Sequence, residues 1–135
     1  MSSAKVVHRG ACHCKRVRFE FDAETELVAI DCNCSICLMK RNVHTIIPSS
    51  CFRLLEGDDV LTTYTFNTHK AQHKFCSVCG VQPFYIPRSN PDGVAITIAC
   101  ITPGTVSRFD IQTYDGQNWE AAYAASDIAK YSKAS

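Results

Sequence analysis

The sequence predicts an all-β domain of many short strands, pinned by metal near its loops and ending in a short C-terminal helix. Three observations carry this reading. Runs of β-branched and aromatic residues recur at short intervals between Gly, Pro, Asn and Asp turn signals. Helical composition is confined to residues 120–130. Seven of the nine cysteines sit at spacings that suit metal ligands better than disulfides.

Taken in order, residues 6–9 and 16–21 read as two strands joined by the turn Gly10-Ala11-Cys12-His13-Cys14. In the second, Val17, Phe19 and Phe21 share one face while Arg16, Arg18 and Glu20 share the other, the period of a half-buried strand. Residues 27–31 are an apolar run delivering the chain into Cys32-Asn33-Cys34-Ser35-Ile36-Cys37, and residues 38–42 carry the basic pair Lys40-Arg41. Residues 43–48, 52–55 and 61–66 read as strands with no amphipathic helix between them, and Gly57-Asp58-Asp59 marks a turn. Residues 72–75 should feed a second cysteine knuckle, Cys76-Ser77-Val78-Cys79, and residues 81–86 leave it. The stretch 87–93 breaks the pattern as a loop. Residues 94–101 are almost wholly apolar, as expected of a strand covered on both faces, and residues 106–114 alternate through Phe109 and Ile111 up to Asp115-Gly116. The helix over 120–130 follows Trp119, and residues 131–135 have little to hold them and are expected to fray. With no internal repeat or linker, one domain is expected over 1–135, its core over about 10–120.

Charge is nearly balanced, with 14 basic and 13 acidic side chains, so no global field recruits nucleic acid or an anionic membrane. Neither partner is expected. Residues 1–10 hold no apolar run of signal-peptide length and no segment reaches bilayer-spanning length, which predicts a protein of the cytoplasm or nucleus that is not secreted. Reduced thiols fit that compartment and the odd cysteine count.

Three cysteines within six residues, Cys32, Cys34 and Cys37, ask for a metal. Thiolates are soft ligands that suit zinc, copper(I) or iron–sulfur iron, and a tetrahedral zinc holds sulfur at roughly 2.3 Å. The cluster offers three ligands where a closed structural site needs four, whereas a catalytic zinc keeps one position open. Spacing allows two partitions. In one, Cys12, Cys14, Cys76 and Cys79 form a closed site and Cys32, Cys34 and Cys37 an open one. In the other, Cys34 and Cys37 join Cys76 and Cys79, stranding Cys12, Cys14 and Cys32. The first leaves no ligand over and closes a loop of more than 60 residues, which favours it. Gly80 after Cys79 permits the positive φ that lets backbone N–H groups face a thiolate, as in a structural knuckle. A fourth ligand for the open set has candidates in His44, His69, His73, Cys51 and Cys100; the last two read otherwise as small buried hydrophobes.

These residues resemble the glutathione-dependent formaldehyde-activating enzyme family, which includes centromere protein V and its relatives. The resemblance runs from about Gly10 to Glu120. It rests on Gly10-Ala11-Cys12-His13-Cys14 with Val17-Arg18-Phe19, Asp31-Cys32-Asn33-Cys34-Ser35-Ile36-Cys37, the stretch 62–73, Phe75-Cys76, Cys79-Gly80-Val81-Gln82, Pro87-Arg88-Ser89-Asn90-Pro91 and Asp115-Gly116-Gln117-Asn118-Trp119-Glu120. The stretch 62–73 looks most like the centromere protein V branch. The resemblance implies a compact, Mss4-like β-tent with two zinc ions per chain. By similarity, Cys12, Cys14, Cys76 and Cys79 would hold the structural zinc, and Cys32, Cys34 and Cys37 the zinc associated with glutathione and activity. Two residues depart from the pattern. Lys15 stands where the family usually has glycine, and Ala99 where close relatives tend to place histidine. Only nine residues precede Gly10, so the extended basic region of centromere protein V has no counterpart in this sequence.

The implied activity is a zinc-dependent carbon–sulfur lyase or synthase acting on a glutathione–aldehyde adduct of the S-hydroxymethylglutathione type, with Cys32, Cys34 and Cys37 as its catalytic residues. Lys40, Arg41 and Arg88 are candidate partners for a substrate carboxylate, and His44, His69 and His73 candidate proton carriers, although each fits a surface or structural role as well. Tyr64, Phe66, Phe84, Tyr85 and Trp119 could line a pocket and otherwise read as core. Two rivals use the same residues. One is a thiol carrier or interaction module whose zincs only hold the fold. The other is an enzyme like the B-type methionine sulfoxide reductases, with Cys32 to Cys37 redox-active.

Overall fold

The structure, a computed structural model, describes residues 5–133. Ten strands dominate: β1 (Val6–Ala11), β2 (Arg18–Ala23), β3 (Glu26–Cys32), β4 (Val43–Pro48), β5 (Phe52–Glu56), β6 (Leu61–Tyr64), β7 (Gln72–Cys76), β8 (Phe84–Ile86), β9 (Gly93–Thr97) and β10 (Arg108–Tyr114). Two short helices, α1 (Ser35–Lys40) and α2 (Trp119–Ala125), sit among them. A three-stranded sheet in the order β1-β2-β5 faces a seven-stranded sheet in the order β10-β3-β4-β9-β8-β7-β6. This is the mostly β, largely antiparallel fold that the strand signals predict.

The alternation in β2 decides where the core lies. Val17, Phe19 and Phe21 are fully buried, and Phe19 meets Phe84 of the larger sheet edge-to-face with ring centroids 6.1 Å apart. Phe52 of β5 closes the cluster at 4.7 Å from Phe84. The opposite face of β2 is polar, with Glu20 and Asp22 bound by Arg53 at 2.8 and 2.9 Å. Cys51 and Cys100 pack half-buried against this core, less enclosed than the small-hydrophobe reading implies.

Several elements differ from the sequence reading. Residues 35–40 form α1, although six residues are too few to show a helical period. Strand β10 runs parallel to β3, in the register Tyr114 opposite Cys32. Residues 81–83 stay out of β8 because the Val81 carbonyl accepts the Cys76 N–H at 3.0 Å and closes the knuckle. Residues 65 and 66 likewise fall beyond β6, and β9 ends at Thr97, where Ile98–Cys100 tightens into a 3-10 turn. The helix over 120–130 is instead α2 followed by a 3-10 turn at Ile128–Ser132. That turn is anchored by hydrogen bonds. Asn90, fully buried, donates from Nδ2 to the Ile128 carbonyl at 3.0 Å and to Ser132 Oγ at 2.9 Å. Residues 1–4 and 134–135 lie outside the described residues, including the end of the stretch expected to fray. Among the described residues no helix is long and apolar enough to cross a membrane.

The departure at Lys15 has a structural consequence. Lys15 adopts φ 66°, in the left-handed region, and its N–H bonds the Cys12 carbonyl at 3.1 Å. Gly80 in the second knuckle has φ 78° and donates to the Cys76 carbonyl at 2.8 Å. The two turns are alike, but a lysine carries a steric cost there of roughly 1–2 kcal/mol that glycine does not. Part of this is offset because glycine loses more backbone entropy on folding. Lys15→Gly is therefore expected to stabilise the protein by about 0.5–1 kcal/mol, read from urea midpoints; a lower midpoint would contradict this account.

Candidate metal centres and the cleft

The turn after β1 carries Cys12 and Cys14, and the knuckle between β7 and β8 carries Cys76 and Cys79. The fold brings all four sulfurs within 4.8 Å of one another. Cys14 Sγ lies 3.6 Å from Cys12 Sγ and 3.7 Å from Cys76 Sγ. A tetrahedron with sulfurs at roughly 2.3 Å from its centre has edges of roughly 3.8 Å, so this set fits zinc. Backbone N–H groups of Val17 and Val78 donate to Cys12 Sγ and Cys76 Sγ, each at 3.4 Å. The cluster joins the smaller sheet to the larger one.

The second set gathers Cys32 from the end of β3, Cys34 from the cap of α1 and Cys37 from its first turn. Their sulfurs also lie within 4.8 Å of one another. Cys34 caps the helix by accepting the Cys37 N–H at 3.5 Å, and its own N–H donates to Cys32 Sγ at 3.4 Å. Three thiols this close share one negative charge. Hydrogen bonds from the Cys32 and Cys37 thiols pull Cys34 down to about 2. Contact with Cys34 pushes Cys32 up to about 11, and contact with Cys32, then with Cys34, pushes Cys37 up with help from burial. Carrying all three as thiolates requires a cation among them. Among the described residues no other His, Cys, Asp or Glu joins the set, so it offers three sulfurs to a metal.

These sulfurs lie in a cleft of about 420 Å³ whose walls include Phe66, His73, Tyr85, Arg88, Tyr114 and Trp119. Gly116 presses against the sulfurs from β10's end. A Cβ there would lie 2.6 Å from Cys34 Cβ and 2.7 Å from Cys32 Sγ. Gly116→Ala is expected to displace Cys32 and Cys34 at a cost of roughly 1–3 kcal/mol, and metal analysis should show one equivalent lost with the other retained. Retention of both would show that the loop yields.

A polar chain backs the sulfurs. The Tyr85 hydroxyl is 3.9 Å from Cys37 Sγ and 3.1 Å from His44 Nε2, and the His73 ring stacks on Tyr85 at 5.0 Å. Burial pushes the Tyr85 phenol up, so it stays protonated. Burial pushes both His44 and His73 down to about 4, so both are neutral at neutral pH. The unfolded chain takes up a proton at His44 near 6.5, whereas the fold resists until about 4. Stability should thus be complete above 6.5 and fall as pH drops toward 4, by about 2 kcal/mol from His44 between about pH 7 and pH 5. Urea unfolding across that range checks this, with His44→Phe expected to flatten the slope.

Of the candidates named from sequence, the cleft collects His44, His73, Phe66, Tyr85, Trp119 and Arg88. Others fall elsewhere. His69 bonds Thr65, Lys40 donates to Gln82, Phe84 lies in the core and Tyr64 is half-exposed. Arg41 ends α1 at φ 55°. Cys51 and Cys100 pack against the other cluster. Tyr114 and Gly116 were not singled out for the site by sequence; the glycine beside the Trp119 motif was the available signal.

The profile of the family described as glutathione-dependent formaldehyde-activating enzyme matches residues 7–117. Among solved structures, a crystal structure of a Rhodobacter sphaeroides protein from a structural-genomics programme superposes with a TM-score of 0.63 at 31% identity, covering 75% of this chain and 98% of that one. The matched span contains both cysteine sets and every residue lining the cleft except Trp119 and Ile128, and the chain belongs to the glutathione-dependent formaldehyde-activating enzyme family.

Proposed function

We propose that this chain forms and cleaves the carbon–sulfur bond between glutathione and formaldehyde, using Cys32, Cys34 and Cys37 as the metal-holding catalytic residues. Cys12, Cys14, Cys76 and Cys79 hold a second, structural zinc in this reading. The observation that carries it is the convergence of three sulfurs, with no fourth protein ligand among the described residues, in a cleft large enough for a small peptide. A zinc held by the three sulfurs would supply the positive charge that lowers the pKa of an arriving thiol.

In the synthetic direction the thiol sulfur adds to the carbonyl carbon. The sulfur–carbon bond forms, the carbonyl π bond breaks, and the thiol proton ends on the new hydroxyl oxygen. Nothing is oxidised or reduced. The chain's own residues bind and orient. Phe66, Tyr85 and Trp119 exclude water, and the protonated Tyr85 Oη, held by neutral His44, presents a donor beside Cys37 Sγ. Orientation of this kind, more than carbonyl polarisation, is the source of rate expected where three thiolates already offset the metal charge.

The test is exchange NMR of ¹³C-formaldehyde with glutathione. Metal-replete protein should speed appearance and loss of the hydroxymethyl adduct above the spontaneous rate. A rate equal to buffer, with glutathione still bound, would leave a thiol carrier instead.

A further inference from the structure

We infer that Arg88 reads a carboxylate of the thiol substrate and restricts this site to thiols that carry one. The inference rests on the proposed function and names the substrate class of the same cleft. Among the described residues that line the cleft, Arg88 is the single Lys or Arg, and none is Asp or Glu. The two lining histidines are neutral, as shown above. Arg88 is therefore the one fixed cation in the cleft's lining, paired at the rim with Glu120 and sharing the cleft with the three cysteine sulfurs. Such a cavity fits a ligand with a thiol at one end and an anion at the other.

The side chain is held for that task. Its guanidinium carbon lies 3.7 Å from the Trp119 ring centroid, a stack that keeps the group flat and fixed. One nitrogen, Nη2, donates to Glu120 Oε1 at 2.7 Å. Glu120 is mostly exposed whereas Arg88 is mostly covered, so the ion pair sits at the rim. A guanidinium offers five donors in a planar fork, and Glu120 is bonded to one nitrogen, leaving an edge for a carboxylate.

A short run of chain links the Arg88–Trp119 stack to the sulfurs. Gly116 touches Cys34, and Gly116–Asn118 forms a 3-10 turn that leads directly into Trp119. At about 2 Å rise per residue, Trp119 lies about 6 Å along the turn from Gly116, and Arg88 stacks on it. The loop bearing Arg88 is in turn anchored through Asn90 to the Ile128–Ser132 turn. Glutathione, with two carboxylates flanking its thiol, meets this requirement; a neutral thiol of similar size does not.

The test is calorimetric titration of metal-replete protein with glutathione and with glutathione diethyl ester, for the parent chain and for Arg88→Gln. The parent should bind free glutathione roughly 10–100-fold more tightly than the ester, and Arg88→Gln should lose that preference while retaining its metal content. The ester arm needs no variant, so it stands even if Arg88→Gln is poorly folded. Equal binding of ester and free glutathione by the parent overturns the assignment while leaving the proposed function in place, as does a preference undiminished in a folded Arg88→Gln. Failure of the parent to bind either compound overturns both.

Discussion

Cys76→Ser is expected to yield a protein that does not hold its fold at physiological temperature. Cys76 is fully buried at the end of β7, where its N–H bonds the Val81 carbonyl at 3.0 Å and its carbonyl accepts the Gly80 N–H at 2.8 Å. Its sulfur is one of the four that tie the β1–β2 turn to the β7–β8 knuckle, across 62 residues of chain between Cys14 and Cys76. Metal bound at such a site is folding free energy, of order 10–16 kcal/mol in zinc-finger peptides, against a total stability of about 5–15 kcal/mol for ordinary domains. Losing one thiolate removes several kcal/mol of this and leaves three sulfurs crowded without a shared cation. Near-UV circular dichroism and urea unfolding read the result. A variant with the parent's urea midpoint would show that the two sheets hold together without the cluster.

Cys34→Ser should behave in the opposite way, keeping the fold and losing the chemistry. Cys34 is the cap of α1, and serine is among the best residues at such a position, so the helix start survives. What is lost, in the proposed function, is one of the three sulfurs that hold the metal. Partners that merely orient a ligand cost roughly 10–100-fold in metal affinity or activity when removed, and loss of a ligand itself should exceed that. The expected outcome is a urea midpoint near the parent's, one metal equivalent, and adduct exchange reduced more than about a hundredfold. An active Cys34→Ser protein would remove the three-sulfur set from the mechanism. Together the two variants separate a cluster that builds the fold from one that the fold presents.

Much of this was readable before the structure. Alternation in residues 16–21 gave the buried face of β2, and β4 occupies residues 43–48 as its β-branched run predicts. Cysteine spacing brought out two thiol groups, although it left their partition open until the β1–β2 turn and the β7–β8 knuckle were seen to meet. Four features were illegible for physical reasons. Helix α1 is too short for periodicity, and a thiol is its cap in place of the usual Ser, Thr, Asp or Asn. The parallel pairing of β10 with β3 is long-range, and only it sets Tyr114 opposite Cys32. His44, His73 and Tyr85 are named singly as candidates by the sequence, but nothing local shows that their rings, His44 edge-on and His73 stacked on Tyr85, form one wall of a cleft. Gly116 looked like an ordinary turn glycine, whereas its missing Cβ makes room for two of the three cysteines.

The most direct test of the central claim is calorimetric titration of glutathione into metal-replete parent and Cys34→Ser protein. The account predicts saturable binding to the parent that disappears in the variant while the Cys12, Cys14, Cys76 and Cys79 cluster keeps its metal. Equal binding to both proteins would place glutathione away from the three sulfurs and contradict it.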